Sequence, residues 1–172
     1  MRWSVPPTAA YTKFRLIQTL PSELTHIIKK SGILMGMEQP AGFHDLHHTA
    51  DWEIEAWAPD LPSLFEQAAI GMYALSGTHL YPEPRITRTL ELAAEDSESL
   101  LVKFLSELLY IGEQFGLAFD VFELQINGGN LSARLHGAPM TEQSKEIKAV
   151  TYHKIAIQPS PRGLEVRIVF DV

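Results

Sequence analysis

The residue types best able to do chemistry are gathered at two places in the chain. His47-His48-Thr49-Ala50-Asp51 sets two imidazoles and a carboxylate just before the first convincing strand pattern. Val169-Phe170-Asp171-Val172 sets a side-chain carboxylate one residue before a terminal one. If folding brings Asp51 to Asp171 and Val172, three acidic groups meet. Oxygen ligands at such close quarters select hard divalent cations, calcium, magnesium or manganese, over softer metals.

Each stretch alone keeps a plainer reading. The first is also what a solvated His-Asp cluster looks like. On a strand His47 shares a face with Asp45 and Asp51, while His48 points away unless a bulge intervenes. His44 and His48 stand four apart, the spacing of helical zinc ligands, but Gly42 and the strand pattern that follows favour extended structure. At the other end the inward set Leu164, Val166, Ile168 and Phe170 runs to the penultimate residues, so Asp171 faces away from Phe170. Two anionic groups so close repel unless a cation or basic group compensates. The ending is equally read as incidental. Asn127-Gly128-Gly129-Asn130 joins two strand patterns and does not open a helix, which makes it a hairpin turn and not a phosphate loop.

The elements that must position these residues follow from hydrophobic period. Trp52 to Trp57 alternates with the two-residue period of a half-buried strand, its tryptophans on opposite faces. Asp60 caps a helix with Pro62 in its first turn and an apolar stripe of Leu64, Phe65, Ala68, Ala69, Met72 and Leu75, stopped at Gly77. Arg85 to Ala94 alternates again, with Ile86, Leu90 and Leu92 inward and Arg88 the exception that an edge position tolerates. The strongest local signal is a second helix from Asp96 or Ser97 to about Phe115. Leu100, Leu101, Phe104, Leu105, Leu108 and Leu109 recur at three and four residues, and Gly116 suits the left-handed end. Phe119 to Ile126, Leu131 to Leu135, Ile147 to Ile157 and Leu164 to Phe170 read as strands, with Pro159 to Gly163 as a second turn. The order predicts an α+β domain, a two-layer arrangement of two helices on a mostly antiparallel sheet.

The 172 residues suffice for one domain, and a chain of this size buries roughly 70% of its unfolded surface without crosslinks. The absence of cysteine excludes disulfides, thiolate metal sites and cysteine nucleophiles. Net charge is minus 7; residues 1 to 36 carry five Lys/Arg and one Glu, which leaves minus 11 for the remainder. An acidic surface repels phosphate backbones, so contact with RNA is expected only indirectly. No apolar run approaches a membrane span and no secretory signal is evident, which points to a soluble, cytoplasmic protein. Residues 1 to 40, with Pro6, Pro7, Pro21 and Pro40, read as an N-terminal extension or a start assigned too early, before a domain over 41 to 172. The oligomeric state is not legible.

His48-Thr49-Ala50-Asp51, the acidic-then-leucine helix from Glu95-Asp96 to Tyr110, the block Glu146-Ile147-Lys148-Ala149-Val150-Thr151-Tyr152-His153 and the ending Val169-Phe170-Asp171-Val172 together resemble the archease family, in the family's order, over roughly residues 43 to 172. The resemblance implies an accessory protein of RtcB-type RNA ligases, not itself an enzyme, that promotes guanylylation and repeated turnover of the ligase in tRNA splicing or RNA repair. It implies a metal site of Asp51, Asp171 and Val172, the last through its carboxylate, holding a divalent cation such as Ca2+, Mg2+ or Mn2+. For His48 and His153 it implies at most a hydrogen bond to Asp51 for one and a sheet position for the other. Two departures from the family pattern stand out: Ala138 where an acidic residue commonly follows the glycine, in a region whose loop to Glu146 is short, and Trp52-Glu53 in place of an aliphatic-Gly pair. Two other readings compete, a metal-dependent hydrolase using His44, His48 and Asp51, and a general chaperone or modulator of RNA-modifying enzymes.

Overall fold

The computed structural model describes residues 40–46 and 52–172, so the expected N-terminal extension lies outside the described residues. The elements run β1 (Gly42–Asp45), β2 (Trp52–Ala58), α1 (Leu61–Leu75), β3 (Thr78–Leu80), β4 (Ile86–Ala93), α2 (Ser97–Phe115), β5 (Leu117–Asn127), β6 (Asn130–Gln143), β7 (Ala149–Val150), β8 (Gln158–Ser160) and β9 (Gly163–Asp171). The α+β expectation holds. The strands are divided between two sheets, ordered β1-β2-β9-β7 with β8 also on β9, and β3-β6-β4 with β5 also on β6, and every described pairing is antiparallel.

Both helices begin where side chains satisfy the first free N–H groups. The Asp60 carboxylate accepts from the Ser63 N–H at 2.9 Å, and Asp96 accepts from Ser99 N–H at 2.6 Å. Gly116 takes the left-handed conformation that closes α2, at φ 64°. Of the stripes predicted from spacing, Leu64, Phe65, Ala68, Ala69 and Met72 on α1 and Leu100, Leu101, Phe104, Leu105 and Leu108 on α2 are buried, while Leu75 and Leu109 are half-buried against the core. Each large buried side chain among them contributes roughly 1.5–3 kcal/mol of transfer free energy. α1 packs on β1, β2 and β9 and reaches β5, while α2 packs on β4, β5, β6 and β7. Phe65, Phe104 and Phe122 carry aromatic contact through this layer, with ring centroids 5.9 and 6.3 Å apart.

The β5–β6 hairpin turns on Gly128-Gly129, as the Asn-Gly-Gly-Asn signal required. Arg88 occupies an inward register position on β4, which pairs only with β6 among the described strands, and its guanidinium lies 4.8 Å over the Phe115 ring. The largest departure from the sequence reading is Ile147 to Ile157. Only Ala149–Val150 forms a strand there, followed by a turn in which Lys154 has a left-handed φ of 56°. Ile147 and Val150 are buried but stand three apart, off a two-residue period, so they anchor a loop and not one face of a long strand. β1, β3 and β8 are short strands absent from the sequence reading, whose three or four residues are too few to display a period.

Candidate functional site

β9 is paired on both sides, and this fixes its last residues. Val166, Ile168 and Phe170 are buried toward the helices. Phe170 is opposite Trp52 on β2 and Val150 on β7, and the next residue, Asp171, is opposite Ala149. The ladder continues to the end: the Lys148 N–H donates to the Asp171 carbonyl at 2.8 Å, and Thr151 donates to the Val169 carbonyl from both its N–H and its hydroxyl at 3.0 Å. By strand alternation the Asp171 side chain lies opposite to that of buried Phe170. Asp171 is exposed, and its carboxylate has no ion pair or hydrogen bond among the described residues.

Two lysines of the segment between β6 and β7 close over this end. The Lys148 ammonium donates to the main-chain oxygen of Val172 at 2.9 Å, and Lys145 Nζ stands 4.2 Å from the centroid of the Trp52 ring. Lys148 appears in the sequence only as one letter of a motif block; its role follows from the Ala149–Asp171 register, which a single sequence does not display. Of the three expected metal ligands, Asp171 is the last residue of β9 and Val172 follows it in the chain, while Asp51 lies outside the described residues. Among the described residues no group of three His, Cys, Asp or Glu side chains gathers as a metal site. What is present fits a hard cation in donor type, an exposed carboxylate with no partner among the described residues beside a main-chain oxygen, although the Lys148 ammonium already supplies basic compensation at that oxygen.

The histidines behave differently from a hydrolase site. His44 Nε2 is 3.2 Å from Glu55 Oε2 on the outer face of the first sheet, and its ring is 5.4 Å from that of Trp57. Arg162 and Arg167 also meet Glu55, at 3.5 and 3.1 Å, and Arg162 lies 4.0 Å over the Trp57 ring. His48 lies outside the described residues. His153 is exposed in the turn after β7, not in a strand as expected, with its N–H 3.3 Å from Thr151 Oγ1. A third set, Thr87, His136 and Glu123, has hydroxyl, imidazole and carboxylate in sequence at 2.9 and 3.4 Å. These three come from adjacent strands of the second sheet, and Thr87 and Glu123 are exposed, which is a cross-strand polar ladder.

A protein-family model described as the "Archease protein family (MTH1598/TM1083)" matches residues 43–172. The protein archease of Pyrococcus abyssi is 36% identical over 124 residues, which cover 67% of this chain and 87% of that protein. That of Methanothermobacter thermautotrophicus is 31% identical over 138 residues, 76% of this chain and 99% of that one. Among solved structures, the solution structure of Methanobacterium thermoautotrophicum protein 1598 matches with TM-score 0.60 and 27% identity, over 76% of this chain and 99% of that chain. The crystal structure of a Thermotoga maritima protein, described as an archease and possible chaperone, matches in fold with TM-score 0.56 and 21% identity, over 74% and 94% of the two chains.

Proposed function

The chain belongs to the archease family, and from that premise we propose that it activates an RtcB-type RNA ligase, promoting guanylylation and multiple turnover through an acidic metal site of Asp51, Asp171 and the Val172 carboxylate. The observation that carries the reading is the pairing of β9 with β2 and β7 up to its last residue: Trp52 meets Phe170, and Asp51 and Asp171 are the covalent neighbours of that pair. The Trp52–Phe170 pairing supports looking for such a site at the end of β9. A divalent cation held there, Ca2+ or alternatively Mg2+ or Mn2+, supplies fixed positive charge toward nucleotide phosphates. This chain's own groups do the rest: Asp171 offers free oxygens, Lys148 holds Val172 in place, and Lys145 covers Trp52.

In this reading the acidic tip enters the mouth of the ligase's active site and adjusts nucleotide position, in the cytoplasm and without binding RNA directly. No helix among the described residues is long and apolar enough to cross a membrane. A general chaperone would need a broad apolar surface. Among the described residues the exposed aromatics are Tyr81, Tyr110, Phe115 and Tyr152; Tyr110 and Phe115 pack edge to face, and Phe115 also carries Arg88.

The test is covalent guanylylation of a matched RtcB-type ligase with substoichiometric amounts of this protein, alongside Asp51→Ala and Asp171→Ala. Stimulation by the wild type and its loss in both variants is the expected result. Undiminished stimulation by either folded variant sinks the acidic-site reading, and no stimulation by wild type sinks the activator reading.

A further inference from the structure

The end of α1, the second half of α2, the far end of β6 and the segment after it enclose a groove of about 510 Å3, within the size range of built ligand sites. Leu109, Met140 and Ile147 supply apolar wall, and the exposed carboxylates of Glu113 and Glu146 stand at it. Neither carboxylate has an ion pair or hydrogen bond among the described residues. The one cation in the lining, Lys148, has its ammonium turned onto the Val172 main-chain oxygen. Among the described residues the groove therefore presents two unpaired carboxylates beside its apolar wall, with Tyr73, Ser76, Thr78 and Gln143 as further polar lining.

Gly112 shows that the depth of this groove is not forced by the backbone. A Cβ added there meets only the Leu117 carbonyl oxygen at 3.6 Å and Met140 Cε at 3.7 Å, ordinary van der Waals distances. Alanine fits, and alanine is the better helix former. What glycine leaves is space on the groove side of α2, beside Met140, whose flexible thioether adapts to an occupant.

A side chain that matches both features has a long apolar stem and a cationic head. Such chains lay their methylenes on apolar surface and carry the charge to its edge, and a guanidinium makes charge-assisted, paired hydrogen bonds to carboxylates. We propose that the groove is a docking site for an arginine side chain of a protein partner, its stem against Leu109, Met140 and Ile147 and its guanidinium at Glu113 and Glu146. Lys148 joins this groove to the end of β9, so a partner that engages one is placed beside the other. The docking site itself requires neither the metal nor the ligase.

The test uses the full chain with methyl-labelled Met and Ile and a capped Ala-Ala-Arg-Ala-Ala peptide as probe, with the citrulline peptide as its neutral isostere. Expected are saturable shifts of the Met140 and Ile147 methyl signals with a Kd on the order of 1 mM, and binding of the citrulline peptide weaker by about 10-fold or more. Gly112→Leu, which fills the groove, abolishes the response, and the double change Glu113→Gln with Glu146→Gln reduces arginine binding to the citrulline level. Equal shifts with both peptides, no saturable shift, or unchanged binding in the folded double variant overturns the proposal. Because neither ligase nor metal is present, failure here leaves the activator reading standing, and failure of the guanylylation assay leaves this one.

Discussion

The Lys148 ammonium lies 2.9 Å from the main-chain oxygen of Val172, so the residue beyond the last strand pair is held by a side chain reaching across from the neighbouring segment. The pair is solvent-exposed and contributes little to stability, about 0.5 kcal/mol or less. Its effect is positional. Lys148→Ala is expected to leave thermal stability nearly unchanged and to lower ligase stimulation by about 10-fold, the usual cost of losing a group that orients a metal ligand. Guanylylation and a thermal melt on the same preparation check both halves; full stimulation shows that the contact is incidental.

A peptide fused after Val172 converts the proposed carboxylate ligand into an amide and places bulk beside Asp171. Stimulation is expected to fall to the level of Asp171→Ala, and to return when a protease removes the fusion. Normal activity in the fused protein removes Val172 from the ligand set while leaving the two aspartates.

Gly137 pairs with Phe119 on β5, beside the register shift between Phe119 and Val121, and an added Cβ would fall on the Ala118 carbonyl. Backbone cannot yield as a side chain does. Gly137→Ala is expected to cost about 3 kcal/mol, a fall in Tm of roughly 6–12 °C for a domain of this size, with the fold retained by circular dichroism. Gly116→Ala, where no atom stands within 4 Å of the added Cβ, acts only through its left-handed φ and serves as the milder comparison.

Asp96 caps α2, and the Ser99 backbone N–H donating to its carboxylate, with the Ser99 side chain, holds its pKa below the ordinary 3.8. A group whose pKa is depressed on folding contributes stability at pH values above the unfolded pKa and loses it as pH falls through the folded value. The wild type is therefore expected to lose an increment of stability from about pH 3.8 downward that Asp96→Asn does not lose. The amide keeps a capping oxygen without the charge. Parallel acid titrations of Tm check this, and superimposable profiles refute it.

Glu55 is the common partner of His44, Arg162 and Arg167, at 3.2, 3.5 and 3.1 Å, and its side chain is 12% exposed while that of Arg167 is 63% exposed. Removing the shared carboxylate leaves Arg162 its contact to Glu165 at 3.4 Å and Arg167 with no ion pair among the described residues. After discounting for the solvent around Arg167, Glu55→Ala is expected to cost about 1–2 kcal/mol, with a smaller loss in high salt. A cost that is independent of salt would assign the effect to lost packing.

What the sequence discloses here is what local period and capping disclose. α1 and α2, their caps at Asp60 and Asp96, and the Gly128-Gly129 hairpin follow from signals within one turn or one stripe. The segment Ile147 to Ile157 did not: its branched residues read as a strand, but only Ala149–Val150 pairs, and the buried Ile147 and Val150 stand three apart, off a two-residue period. Ala138, odd against the family pattern, is accounted for by its place: it is fully buried inside β6 opposite Ala118, where a carboxylate would be left without water. Of the candidate site, the residue types were legible and the partners were not. Lys148 becomes a neighbour of Val172 only through a pairing of Ala149 with Asp171 that spans the last stretch of chain.

The strand pairs differ in how far the chain must travel to close them. The β5–β6 and β8–β9 hairpins each turn across two residues, whereas the β2–β9 ladder joins Trp52 to Phe170 from opposite ends of the described chain. Contacts between distant residues carry the larger loop-closure entropy. The proposed site at the end of β9 therefore rests on a pairing whose closure costs the chain more freedom than either hairpin does.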